Sequence, residues 1–193
     1  MDLVIVNYGA GNIQSIRFAF QRLGYSLELS SDPDRIRRAD KVIFPGVGEA
    51  SSAMEKLTHS GLDSLIPELK QPVLGICLGM QLMCRSTEEG PTTGLGIFDV
   101  EVLRFDGKLK VPQIGWNSIH DLKSPLFEGV RQSEFIYLVH SFYAPLCAET
   151  IAVSDYGLPY SAALARDNFF GVQFHPEKSG QAGALMLRNF LKL

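Results

Sequence analysis

A chain of 193 residues fits one α/β domain, since domains commonly take ~100 to 200 residues, so a single domain over 1–193 with one site is expected. Hydrophobic residues at 46% and charged residues at 20% describe a chain able to bury a core, and exclude disordered or collagen-like composition. A formal net charge of −3, from 18 Lys+Arg against 21 Asp+Glu with no clustered basic face, removes the electrostatic footprint of a nucleic-acid or membrane-surface binder. No apolar run approaches the ~20 residues that span a bilayer, and Met1-Asp2-Leu3 opens directly into Val4-Ile5-Val6 without a basic leader. A cytoplasmic location is expected.

In chain order, Leu3 to Val6 reads as a buried strand, Asn7 to Asn12 as a glycine-rich turn, and Ile13 to Leu23 as an amphipathic helix closed by Gly24. Leu27 and Leu29 alternate with polar neighbours as in a strand, and Asp32-Pro33 opens a short helical turn. Lys41 to Phe44 is the next strand, cut by Pro45-Gly46-Val47-Gly48; Glu49 to Ser60 is a helix ending at Gly61, with a second running to about Lys70. Val73 to Cys77 is a further strand, feeding a helix from Leu78 to Arg85. From Leu95 strands dominate (Ile97 to Phe105, Phe135 to Val139, Ile151 to Val153, Phe169 to Phe174), and Ser179 to Leu193 is a closing helix. The alternation predicts an α/β fold: an open, mostly parallel sheet flanked by helices, with an antiparallel β extension. In such sheets the site lies beyond the carboxyl ends of the strands.

Three cysteines, odd in number and far apart (Cys77, Cys84, Cys147), make neither a disulfide framework nor a metal pair, so free thiols and no metal are expected. Gly75-Ile76-Cys77-Leu78-Gly79 is the bracket of a nucleophile at a strand-to-helix elbow, carrying sulfur where others carry a hydroxyl. The Leu78 N–H at the helix start would face both the thiolate and an oxyanion on an attacked carbonyl. The bland alternative is a small buried hydrophobe at a strand end. Cys84 falls two turns along the same helix and reads as packing, while Cys147 shows no chemistry.

A thiol nucleophile needs a base, and there are four histidines. His59 near a polar helix end reads as surface, and His120 lies in the polar turn Ser118 to Asp121. His140 ends an apolar strand, where it lines a pocket or is a satisfied edge residue. His175 ends the run Phe170 to Phe174 and is followed by Pro176-Glu177, so a carboxylate two residues on can approach the ring and fix its tautomer. A salt-bridged surface pair is the alternative. Pro45 to Gly48 suits a second oxyanion donor or simply a turn, and Asn7 to Asn12 lacks the lysine of a phosphate loop.

The set Gly75-Ile-Cys77-Leu-Gly79-Met-Gln81 with Phe174-His175-Pro176-Glu177 resembles the triad-type class I glutamine amidotransferases. Asn7 to Asn12, Pro45 to Gly48, Gly115-Trp116-Asn117, Tyr137 to Ser141 and Glu177 to Gly180 extend the resemblance, over essentially the whole chain, to the glutaminase subunits of imidazole glycerol phosphate synthases. Gln113 stands where that family usually shows histidine. The resemblance implies a flavodoxin-like core, no cofactor, and Cys77, His175 and Glu177 as catalytic residues, with the oxyanion held by Leu78 and by Val47 and Gly48. It implies glutamine held by Gln81, His140, Ser141 and Phe142, and a heterodimer with a (β/α)₈-barrel cyclase subunit that uses the ammonia to make imidazole glycerol phosphate and an aminoimidazole carboxamide ribotide. Asn12, Trp116, Tyr137 and Lys178 are the partner-facing candidates. The rival readings are the glutaminase of another class I amidotransferase and a non-catalytic module of the same fold.

Overall fold

The computed structural model describes residues 1–193. The first half alternates: β1 (Leu3–Val6), α1 (Ile13–Arg22), β2 (Glu28–Ser30), α2 (Pro33–Arg38), β3 (Lys41–Gly46), α3 (Ala50–Ser60), α4 (Leu62–Leu65), β4 (Val73–Cys77) and α5 (Leu78–Met83). The second half is strands: β5 (Cys84–Thr87), β6 (Thr92–Thr93), β7 (Phe98–Arg104), β8 (Gln113–Ile119), β9 (Glu134–His140), β10 (Phe142–Tyr143), β11 (Thr150–Asp155), β12 (Pro159–Arg166) and β13 (Phe169–Val172), closed by α6 (Gly180–Lys192). Short 3₁₀ turns precede β4 and α6.

The main sheet has the order β11-β12-β13-β4-β3-β1-β2. Its five parallel strands follow the flavodoxin-like pattern, with the direction of winding reversed between β1 and β3, and β12 and β11 add antiparallel at one edge. Alternation along each strand splits the core in two. Val4, Val6, Val42, Phe44 and Val73 face α2, α3, α4 and α5. Leu3, Ile5, Ile43, Leu74 and Ile76 face α1 and α6. Strands covered on both faces carry few polar positions, Lys41 at the start of β3 being the exception, which is why these read as near-continuous apolar runs. α1 buries Ile16, Ala19 and Phe20, the i, i+3, i+4 stripe, and leaves Phe18 half exposed. A four-stranded sheet (β10-β7-β5-β6) covers the first face, and a two-stranded ribbon, β8 and β9, lies on the second. No helix is long and apolar enough to cross a membrane.

Three local readings are corrected, and one strand that the sequence did not announce is added. β3 does not stop at Phe44: Pro45 and Gly46 continue the pairing with Ile76 and Cys77, because β1 has already parted at Ile43 and the missing proline N–H has no ladder partner to lose. The helix after the elbow ends at Met83 rather than Arg85, since Cys84 to Thr87 pair with β7. Cys84 is therefore the first residue of a strand, fully buried. Ser118 and Ile119 belong to β8 rather than to a turn, and His120 bridges to Val153. Finally, β12, sequence PYSAALAR, has no alternation to announce it, because five consecutive residues are buried and its alanines favour helix as much as strand.

Candidate active site

The carboxyl ends of β1, β3, β4 and β13 converge on a pocket of about 470 Å³, within the size range of small-molecule sites. The elbow is built by glycine. A Cβ on Gly79 would collide with the Phe44 carbonyl, one on Gly46 with the backbone of Gly79, and one on Gly75 with Met83. The end of β3 therefore lies directly against the start of α5, which seats the 45–48 loop beside the cysteine. Cys77 itself has φ 55° and ψ −114°, a conformation that costs a non-glycine residue roughly 1–3 kcal/mol and persists only where the surroundings dictate it. Here β4 on one side and α5 on the other dictate it. Leu78, the first residue of α5, carries one of the first-turn N–H groups that no helical carbonyl can reach.

Cys77 is buried, 8% exposed, and its sulfur lies near two polar groups: the Val139 carbonyl at 3.8 Å and the Gln173 amide, which donates to it, also at 3.8 Å. His175 lines the same pocket. Its backbone N–H donates to the Tyr137 carbonyl at 2.9 Å and its carbonyl accepts from Ser179 Oγ at 2.7 Å, so the ring is carried on a pinned backbone. His175 Nδ1 donates to Glu177 Oε1 at 2.9 Å, and because an ionised carboxylate only accepts, the tautomer leaves Nε2 free to exchange a proton. Burial alone would lower the His175 pKa. Hydrogen bonding to Cys77 and Glu177 and the negative charge on both overcome it and raise it from 6.5 to about 9.

Glu177 has a side chain with no exposed surface. The same Oε1 also accepts from Asn12 Nδ2 at 2.8 Å, while Oε2 is buried without a partner. Asn12 is in the left-handed conformation, φ 60°, at the end of the turn after β1. At the other end of that turn the Tyr8 hydroxyl donates to the Pro45 carbonyl at 2.7 Å, and a Cβ on Gly11 would sit 2.9 Å from Val47 Cγ2. The turn after β1 thus touches both the 45–48 loop and the histidine–carboxylate pair.

The sequence candidates distribute as follows. Asn12, Val47, Gly48, Leu78, Gln81, His140, Ser141, Phe142 and Lys178 all line the pocket with Cys77 and His175. Glu177 stands behind the His175 ring. Trp116 and Tyr137 lie outside, as a cross-strand pair on the ribbon with ring centroids 5.9 Å apart, and Lys178 Nζ is 5.8 Å from the Tyr137 ring. His140 donates through Nδ1 to the Phe142 carbonyl at 2.7 Å, and burial drives its pKa down to about 4, against the pull of that carbonyl and helped by the charge of His175. It is a neutral wall residue, not a second base. Gln113 accepts from the Tyr160 hydroxyl at 3.1 Å, next to His140. His59 is exposed on α3, and His120 pairs with Asp155 at 2.7 Å on the far edge of β8. Neither lines the pocket. Burial pushes the Cys84 and Cys147 thiols up, which keeps both protonated.

Three lining residues were not anticipated: Glu89, Pro112 and Val139. Glu89 sits in a loop of no regular pattern, accepts from the Ala50 N–H at 3.0 Å, and is held above the usual carboxylate range chiefly by burial. Gln173 was also missed, although it lies in the apolar run that ends at His175; the strand itself stops at Val172, and Gln173 turns to Cys77 from the bend beyond it.

The glutamine amidotransferase class-I family matches residues 4–193. The chain is 54% identical to an imidazole glycerol phosphate synthase subunit HisH of Bacteroides fragilis (strain YCH46), over 100% of both chains. It is 55% identical to that of Bacteroides thetaiotaomicron and 48% to that of Yersinia pseudotuberculosis serotype I, again over 100% of each. A solved structure of a glutamine amidotransferase superposes with TM-score 0.76 at 18% identity, covering 98% of this chain and 97% of that one. Another, of PurLQS from Thermotoga maritima, gives TM-score 0.70 at 16%, covering 100% and 99%. At that identity the two structures speak for the fold alone. Given the match to relatives end to end at about half identity, the chain belongs to the class-I glutamine amidotransferase family, among the imidazole glycerol phosphate synthase HisH subunits.

Proposed function

We propose that this pocket hydrolyses glutamine to glutamate and ammonia, with residues 1–193 acting as one amidotransferase domain. The observation that carries the reading is the strained Cys77 elbow sharing one pocket with the His175–Glu177 pair. Cys77 transfers its proton to His175 and attacks the side-chain amide carbon. A C–S bond forms, the carbonyl electrons move onto oxygen, and the Leu78 N–H with the Val47-Gly48 backbone holds that oxyanion. The His175 imidazolium then protonates the amide nitrogen, the C–N bond breaks, and ammonia leaves a thioester. His175, neutral again, takes a proton from water. The hydroxide adds, the C–S bond breaks, and glutamate departs with the thiolate–imidazolium pair restored. Glu177 orients the ring throughout.

Glu89 is the single lining carboxylate of the pocket and suits the substrate α-ammonium, while Gln81 and the His140-Ser141-Phe142 backbone hold the polar ends. The ammonia passes to a cyclase partner, which is a (β/α)₈ barrel bound as a heterodimer and makes imidazole glycerol phosphate and an aminoimidazole carboxamide ribotide. In support, the ribbon beside the pocket carries an unusual apolar surface: Ile114 63%, Trp116 56% and Phe135 57% exposed, flanked by Tyr137, Lys178 and Asn12. Apolar rings in the open mark interaction sites. Cys77→Ala should abolish glutamate release in a coupled glutamate dehydrogenase assay while the thermal midpoint is kept, and adding the cyclase with its ribotide substrate should raise parent turnover. Undiminished hydrolysis by Cys77→Ala overturns the mechanism, and absence of stimulation overturns the partner.

A further inference from the structure

Besides the Val139 carbonyl, the cysteine has a second polar neighbour, Gln173. Gln173 is fully buried, and its amide orientation is dictated by a chain of hydrogen bonds that starts at a group able only to accept. Gln81 Nε2 donates to the Phe142 carbonyl at 3.1 Å, and the same nitrogen donates to Gln173 Oε1 at 2.8 Å. Gln173 Nε2 is thereby turned toward Cys77 Sγ, 3.8 Å away. Reversing Gln173 would set two NH₂ groups against each other, and reversing Gln81 would set its oxygen against a carbonyl. The order Phe142 carbonyl, Gln81 amide, Gln173 amide, Cys77 sulfur has one self-consistent direction.

The sulfur therefore has both an acceptor and a donor near it. The Val139 carbonyl takes the S–H of the thiol, and the Gln173 N–H meets the thiolate. When the proton moves from Sγ to His175 Nε2, the first bond is lost and the second becomes charge-assisted, a class about twice as strong as its neutral counterpart. We propose that Gln173 is a further residue of the reaction, the donor that stabilises the Cys77 thiolate, and that Gln81 is its positioning residue in addition to any part in holding substrate. The inference deepens the reading of Cys77 as nucleophile and rests on it.

The test is alkylation of the full chain by iodoacetamide without glutamine, followed at the Cys77 peptide by mass spectrometry from pH 5 to 10. In Gln173→Met the rate at pH 7 should fall about tenfold, as a thiolate population displaced by one pH unit does, and should rejoin the parent at pH 10. A merely blocked sulfur would stay slow at both. Gln81→Glu should shift the profile in the same direction without touching sulfur, because a carboxylate cannot donate to Gln173 Oε1 and instead draws its NH₂ away. That second variant keeps the test decisive if Gln173→Met does not fold, which thermal unfolding reports. Profiles superimposable on the parent overturn the proposal while leaving the nucleophile reading intact. Glutamate release that survives Cys77→Ala would instead remove the reading underneath.

Discussion

His175 and His140 line one pocket and are buried to within a percentage point of each other, yet their pKa values move in opposite directions. Around His175 stand a carboxylate and a thiol, and the pKa rises to about 9. Around His140 stand a carbonyl and a phenol, and it falls to about 4. Burial pushes both rings toward neutrality; at His175 hydrogen bonds to, and negative charge on, Cys77 and Glu177 reverse that push, whereas at His140 the charge of His175 adds to it and one carbonyl does not offset it. One ring of the pocket is thus held able to carry a proton near neutral pH and the other is held neutral.

The comparison is broken most severely by removing the carboxylate. In Glu177→Gln, His175 loses its anionic partner and its tautomer is no longer enforced, so kcat should fall about 10³- to 10⁴-fold, the scale seen when a triad loses its orienting acid, and the alkaline limb of the rate profile should move to lower pH. An unmoved limb would show that Glu177 does not set the charge of His175. In the parent, glutamate release should decline as pH passes about 9, where the imidazolium needed by the leaving amine is lost. Stability follows the same signs. The raised pKa of His175 contributes stability that is complete below its ordinary 6.5 and is lost as pH rises through about 9. The lowered pKa of His140 acts in reverse: below 6.5 the unfolded chain takes up a proton that the folded one refuses down to about 4, so stability falls on acidification. Chemical denaturation at pH 5, 7 and 9.5 in the parent and in His140→Phe reads this, the variant losing its acid sensitivity. The smallest effect is on turnover by that variant, whose Phe142 backbone loses one donor: KM should rise about tenfold, as for one hydrogen bond of ~1.4 kcal/mol, with kcat nearly unchanged. A collapse of kcat would make His140 a proton carrier after all.

Cys77, His175 and Glu177 were legible because each lies in a motif only a few residues long; glycine spacing carries the elbow, whereas His175 and Glu177 meet through the 3₁₀ turn Pro176–Lys178 and not through the extended period expected of them. The parallel core was legible for a similar reason, since its strands are unbroken apolar runs between helix caps. What escaped depends on contacts distant in the chain. Met83 ends a helix because β7 claims the next residue, β12 is a strand because both its faces are covered, and Glu89 reaches the pocket from an irregular loop whose position is set by the N-terminus of α3. Gln173 lies between these cases: its place just past β13 and two residues before His175 is local, but its orientation depends on Gln81, 92 residues away.

The turn after β1 carries a consequence for anyone cutting or extending this chain. Exposed glycine-rich loops are ordinarily the safest places for a new terminus, a tag or an inserted domain. Asn7 to Asn12 is an exception, because Tyr8 and Asn12 anchor Pro45 and Glu177 across 37 and 165 residues of sequence. Rewiring there would unseat both the 45–48 loop and the Glu177 carboxylate that holds His175. The bend at Asp106-Gly107-Lys108, exposed at every residue and outside the pocket lining, is the place where the polypeptide can be reopened.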